Sequence, residues 1–379
     1  MTFRQRILAA IDGQEIYPVC TDVMENLIYP TLEQELMRHL HVNDREKLFR
    51  ALSAHIRWGK PKYSGPPLEK AHVQPVDAFP DKFACRNIWG SYSGLNTYSD
   101  EFAPRPLTDV SSIEQIHNYK WPDPKWFDYT KVGPPLSEPD DFVPIKQWTQ
   151  QHADCAHLVG GYEPIFGRIC DLCGIETTLF NLSLQPDVSK AIVEHITDFL
   201  ASYYEGVARA GQGHIDILAF GDDFASQNGM MFSPQQWREF FKPSWQRLFA
   251  IAHKYGMKAQ FHSCGCIRPV LGDLIDAGMD IFEVVQLSAT DMDAVELKRE
   301  FGSDVTFFGA VDVQAVLPSY SEDKVRQEVR RLIDCFAKGG RFILANSHIL
   351  MEDVPAKNVI AMFDEARRYQ PASVVSRRN

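Results

Sequence analysis

What this 379-residue sequence lacks narrows its reading first. No stretch approaches the roughly 20 consecutive apolar residues that a membrane-crossing helix needs. The opening Met1-Thr-Phe-Arg-Gln-Arg-Ile-Leu-Ala-Ala-Ile-Asp12 turns from basic to apolar. Its apolar run ends after about five residues, too short for the hydrophobic region of a signal peptide. Positive charge is scarce: 39 Lys and Arg stand against 50 Asp and Glu, a net charge of −11. No basic surface is therefore on offer to release counterions from nucleic acid. Cysteine is sparse as well, eight residues irregularly spaced. A chain of this length buries its own core without covalent staples, so reduced thiols in a cytoplasmic protein are expected. Gly and Pro, 23 of each, are at average levels, which excludes collagen-like and low-complexity chains.

What remains is a large, mildly acidic, globular protein of 45% hydrophobic and 23% charged residues, with the composition of an enzyme on a small molecule. Its length suits two or three domains, or one large α/β barrel. The pattern along the chain favours the barrel. Phe3 to Asp12 reads as a short amphipathic helix stopped by Gly13, followed by a β-like Tyr17-Pro-Val-Cys20. From about 29 to 141 the text is irregular and rich in Pro and aromatics, and is expected to wrap over the barrel as loops and short helices. The aromatic stretch Trp89 to Tyr98 belongs to that cover. From about 155, apolar runs alternate with helical patterns, the signature of βα units around a parallel sheet. The runs are 157–161, 215–220, 258–261, 281–285, 305–308 and 342–345. The helices expected between them are Asp187 to Ala210, Ser233 to Tyr255, Asp291 to Phe301, Ser321 to Ala337 and Pro355 to Tyr369. Ser233, Pro234 and Gln236 form a helix-start signature, and Pro243 should kink or split that helix. Six strands and one near Pro18 leave one strand of an eight-stranded barrel unassigned.

Barrel chemistry sits just beyond the C-terminal ends of the strands. Those positions hold Tyr162-Glu163, Asp222-Asp223, His262-Ser-Cys264-Gly-Cys266, Gln286, Asp312-Val-Gln314 and Asn346-Ser-His348. His262 and Cys264, two apart on an extended strand end, point the same way, and imidazole with thiolate is a donor pair that Zn²⁺ prefers. A catalytic zinc takes a third protein ligand. His348 is the candidate, with Cys266 and Glu163 in reserve. Asp222 and Asp223 point apart, so one of the two should position or protonate substrate. Glu163 is a further acid for that role. Gln286, Gln314 and Asn346 suit uncharged substrate contacts, and Asp312 is read both as a substrate contact and as a carboxylate behind His262 or His348. The pair Cys170-x-x-Cys173 has helical spacing and no partner CxxC, which argues against a redox or metal role.

These residues lie in stretches that resemble the uroporphyrinogen decarboxylase superfamily, which also contains zinc-dependent, corrinoid-linked methyltransferases. The resemblance runs through Arg4 to Gly13, Trp121-Pro-Asp-Pro124, Gly221-Asp-Asp223, His262-Ser-Cys-Gly265, Leu274 to Asp280, Phe308-Gly-Ala-Val-Asp312, Gly339 to Ala345 and Asp353-Val-Pro355. It implies one (β/α)8 TIM barrel with N-terminal elaborations spanning 1–379, and leaves room for a homodimer. The decarboxylases carry an arginine-bearing Met-Arg-Gln-Ala-Gly-Arg signature near the N-terminus. Here the stretch is Tyr17-Pro-Val-Cys-Thr-Asp-Val-Met-Glu-Asn26, with no arginine and two acids. The methyltransferase branch uses His-x-Cys and a later Cys on zinc. His262 and Cys264 match, while His348 stands where the late Cys would be. The resemblance therefore implies methyl transfer between a small methylated compound, for example a methoxylated one, and a corrinoid on a partner protein or free. A carrier's own Asp-x-His-x-x-Gly pattern is absent. The alternative is a metal-independent decarboxylase or lyase acting on a small carboxylated substrate.

Overall fold

The computed structural model describes residues 1–68, 85–93, 105–135 and 139–375. Eight parallel strands, numbered here β1–β8, are Cys20–Thr21, Ile56–Tyr63, Ala156–Gly160, Ile217–Gly221, Lys258–His262, Ile281–Val284, Thr306–Val311 and Phe342–Asn346. Each of β2 to β8 pairs in parallel with the next, and β1 pairs with β8. The seam between β1 and β2 is closed by His55 N–H donating to the Thr21 carbonyl and Ile56 N–H donating to Asp22 Oδ1, both at 3.0 Å. The fold is a TIM barrel.

Alternation along the strands sorts the core into two layers. Ile217 and Ala219 of β4, Ile281 of β6, and Ile343 and Ala345 of β8 share an interior cluster with Ile7, Ala10 and Ile11 of the helix Phe3–Ile11. Leu218, Phe220, Phe282 and Leu344 pack outward against the helices. A fully buried isoleucine contributes about 1.5–3 kcal/mol, so the helix Phe3–Ile11, with two of them in Ile7 and Ile11, is a substantial plug of the barrel. Thr2 and Gln5 cap it reciprocally.

Most expected helices form within a few residues of the sequence reading: Pro186–Gly211, Ala294–Phe301, Glu322–Phe336 and Ala356–Arg368. Ser233 caps the helix Pro234–Phe240 with Gln236, and the chain breaks at Phe241 before Lys242–Lys254. Pro243 sits in the first turn of that second helix, where no intrahelical N–H is required. The unassigned barrel strand is β2, inside the segment expected to be cover. Its outer half, Lys60 to Tyr63, turns antiparallel against the strand Phe127–Gly133, with a register shift between Pro61 and Lys62. A proline at such an irregularity removes no needed ladder bond. Trp89 is buried as cover, edge-on to Phe199 at 4.7 Å. The part of the aromatic stretch from residue 94 onward lies outside the described residues. Among the described residues, no helix is long and apolar enough to cross a membrane.

Candidate functional site

Along β5, Gln260 and His262 face the barrel interior, and the β5–β6 register sets His262 opposite Glu283. Glu283 Oε2 lies 3.4 Å from His262 Nδ1 and also accepts a hydrogen bond from Gln260 Nε2. The other ring nitrogen, Nε2, faces Cys264 Sγ at 3.6 Å. Cys264 N–H donates to Asp223 Oδ1 at 2.7 Å. Donor atoms of Asp223, His262 and Cys264 thus converge within 4.8 Å of one another at the C-terminal mouth, the one such group of three among the described residues.

Two glycines make this arrangement sterically available. Gly265 takes φ +82°, and a Cβ there would stand 2.5 Å from the Ser226 carbonyl oxygen. Only glycine suits that turn, which delivers the Gly265 N–H to Gln286 Oε1 at 2.8 Å. At Gly221 a Cβ would meet the Tyr162 ring at 2.8 Å. Its absence lets Tyr162 lie edge-on to His262, centroids 5.7 Å apart, and accept the Asp223 N–H at 2.9 Å.

Burial disfavours the His262 cation, but Cys264, Glu283 and Asp223 outweigh it and hold the imidazole well above its ordinary pKa. Burial raises the Glu283 carboxyl against the pull of His262, and raises the Cys264 thiol in the same way. Glu25 Oε1 lies 4.0 Å from His262 Nδ1, its carboxyl pushed up to about 7 by burial and eased by His262. One nitrogen, one sulfur and one carboxylate oxygen, with a buried carboxylate behind the histidine, form a donor set that fits Zn²⁺ with a position left for substrate.

Two cavities flank this triad. One, of about 570 Å³, is lined by Glu25, Trp58, Lys60, Tyr63, Tyr162 and Glu163 among others. The other, of about 470 Å³, is lined by Gln227, Cys264, Gln286, Gln314 and His348 among others. Both have the size of small-molecule sites.

A family model described as uroporphyrinogen decarboxylase (URO-D) matches residues 144–369. The chain belongs to the uroporphyrinogen decarboxylase family. Its fold is also that of a methyltransferase from Methanosarcina mazei, at 19% identity and a TM-score of 0.59, covering 97% of this chain and 98% of that one. A glycoside hydrolase family 5 enzyme from Prevotella bryantii aligns at 10% identity and a TM-score of 0.35, over 59% of this chain and 75% of that one, too distant to inform the site. No curated protein matches the sequence.

In this uroporphyrinogen decarboxylase family member, the residues expected from sequence divide into those that meet and those that do not. His262 and Cys264 meet, and the third converging donor is Asp223. His348 lines the mouth but stands outside the triad, its imidazole depressed by burial and by the charge of His262. Cys266 is buried and outside the triad too, its N–H donating to the Ser226 carbonyl. Asp222 turns away: its carboxylate accepts the N–H groups of Ile165, Phe166 and Gly167 at 2.8–3.1 Å, at the start of the helix Phe166–Cys173. Glu163 lies apart from the triad, paired with Arg168 at 3.2 Å.

The substrate-contact candidates differ in what they touch. Asp312 Oδ1 accepts the N–H groups of Gln314, Ala315 and Val316 and so holds its own turn, reaching neither His262 nor His348. Asn346 is buried, accepting Met24 N–H and donating to the His348 carbonyl. Gln286 spends its oxygen on the Gly265 turn. Gln314, which accepts from Gln227 Nε2 at 3.0 Å, does line the smaller cavity. Cys170 and Cys173 are buried in one helix. The sequence reading missed Glu283 and Glu25, and placed Tyr162 at a strand end without giving it a role. An acid in the middle of the apolar run 281–285 was the available signal for Glu283.

Proposed function

We propose that this family member is a zinc-dependent methyltransferase that moves a methyl group between a small methylated compound and a corrinoid carried by a partner protein. The convergence of Asp223, His262 and Cys264 at the barrel mouth, with Glu283 behind His262, carries this reading. Those three residues would hold the zinc. When bound, it supplies a Lewis acid that lowers the pKa of a coordinated thiol or polarises a methoxy or hydroxy oxygen. Glu283 keeps the proton of His262 on Nδ1 and so turns Nε2 toward the site. Tyr162 and the Cys264 backbone fix Asp223 from two sides. Glu163, whose carboxyl burial raises despite Arg168, lines the larger cavity and is placed to hand a proton to the demethylated oxygen. The smaller cavity, walled by the neutral amides of Gln227, Gln286 and Gln314, opens on Cys264 from the other side and suits the approach of a large, weakly charged corrin.

Anaerobic metal analysis of the purified protein, followed by the visible spectrum of methylcobalamin with methoxylated and demethylated test compounds, examines the proposal. Stoichiometric zinc and a substrate-dependent spectral change are expected. Zinc-free protein that leaves the methylcobalamin spectrum untouched rejects it, and leaves the carboxy-lyase alternative on the family's fold.

A further inference from the structure

Lys60 begins the outer half of β2, two residues beyond Trp58 and on the same face of the strand. Its half-buried ammonium has no ion pair within 4.0 Å among the described residues. The acid whose charge acts on it, Glu163, is already held by Arg168 at 3.2 Å. Glu25, the other acid of the same cavity, is turned toward His262 at 4.0 Å. Lys62 adds a second cation to this end. The walls between are rings: Trp58, Tyr63, Phe127 and Tyr162, with Tyr63 and Phe127 edge to face at 5.5 Å. One chamber thus joins an uncommitted ammonium, an aromatic lining and, through Tyr162 and Glu25, the donor triad.

We propose that this cavity selects a flat, ring-bearing substrate with a single carboxylate, and that Lys60 pairs with that carboxylate while the far end of the molecule meets the triad. The inference deepens the methyltransferase reading and rests on it for the reaction, but the binding it describes needs neither zinc nor corrinoid. An ammonium already stripped of part of its water attracts a carboxylate more strongly than an exposed one does. A neutral analogue of the same shape leaves that ammonium unpaired, which is how such a site discriminates.

The test is calorimetric titration of benzoate and of neutral benzamide into purified wild type, Lys60→Met and Lys60→Arg, each as isolated and after zinc removal. Wild type should bind benzoate about tenfold or more tightly than benzamide, the range of a charge-assisted hydrogen bond. The gap should close in Lys60→Met and reopen in part in Lys60→Arg, with melting temperatures confirming that all three are folded. Equal benzoate affinity in wild type and Lys60→Met overturns the inference, as does a wild type that binds no benzoate. So does preferential binding of tetramethylammonium, which would make the rings and acids a cage for cations. Protein that carries no zinc as isolated yet keeps the benzoate gap sinks the methyltransferase reading alone, whereas a zinc-bearing protein without the gap, before and after zinc removal, sinks the Lys60 assignment alone.

Discussion

His262 offers its Nε2 to Cys264 Sγ at 3.6 Å while its Nδ1 rests 3.4 Å from the fully buried Glu283. A carboxylate behind a ligating imidazole fixes the ring's tautomer and orientation and raises its basicity. Glu283→Gln keeps the shape and the link to Gln260 but removes the charge. Zinc affinity should fall by about 10–100-fold, read by competition with a coloured chelator. Unchanged affinity would reduce Glu283 to a packing residue.

The triad also separates two histidines that the sequence had grouped. His262→Ala removes a converging donor, so the variant should retain little zinc and no methyl transfer. His348→Ala removes a residue of the mouth and should keep near-stoichiometric zinc. Metal analysis on the two variants side by side decides the matter. Parallel zinc loss in both would restore His348 as the third ligand in place of Asp223.

Neighbouring Asp222 and Asp223 should behave in opposite ways. Asp222→Ala strands three buried N–H groups at a helix start, a loss of about 3 kcal/mol, visible as a lowered urea midpoint. Asp223→Asn keeps an acceptor for Cys264 N–H at the half-buried mouth. Its stability should stay within about 1 kcal/mol of wild type while zinc binding and activity fall. If Asp222→Ala melts like wild type, the helix is held by something other than this carboxylate.

Much of this architecture was legible in the residues because local signals agreed with the fold. The capping residues around Ser233, the break just before Pro243, and seven of the eight strands follow from periodicity and turn chemistry. β2 hid because Trp58-Gly-Lys-Pro-Lys-Tyr63 lacks an apolar run. Its lysines line the cavity and its proline sits at a register shift. The site was legible only as far as strand-end position and alternation reach. Those place His262 and Cys264 together and set Asp222 against Asp223, as found. They do not reveal that Asp312 and Asn346 hydrogen-bond to backbone, Asp312 to its own turn. Nor do they show that Glu283, one strand away, completes His262. That relation is set by the register between two strands, which no single run of sequence encodes.

The buried mouth also dictates how stability should respond to pH. Asp22 is fully buried, accepting Ile56 N–H and Trp58 Nε1–H at 3.0 Å each. Burial pushes its carboxyl from 3.8 up to about 7, the two donors and Arg57 pulling down and Glu283 adding to the rise. Between those values the folded chain holds a proton that the unfolded chain has released. Raising the pH through this window therefore costs stability, by up to about 1.4 kcal/mol per pH unit for a single group. The stabilisation is complete below about pH 4 and is lost as pH climbs through about 7. Asp22→Asn carries no titratable proton, and its amide satisfies at most one of the two donors, so it should be less stable than wild type at pH 4.5. The deficit should narrow at pH 7.5, where the wild-type carboxylate bears a buried charge. Urea unfolding of both proteins across that range measures the difference directly, free of the other buried acids that the two share. Parallel stability profiles would mean that Asp22 is ionised throughout, stabilised by its two donors and Arg57 strongly enough to defeat burial.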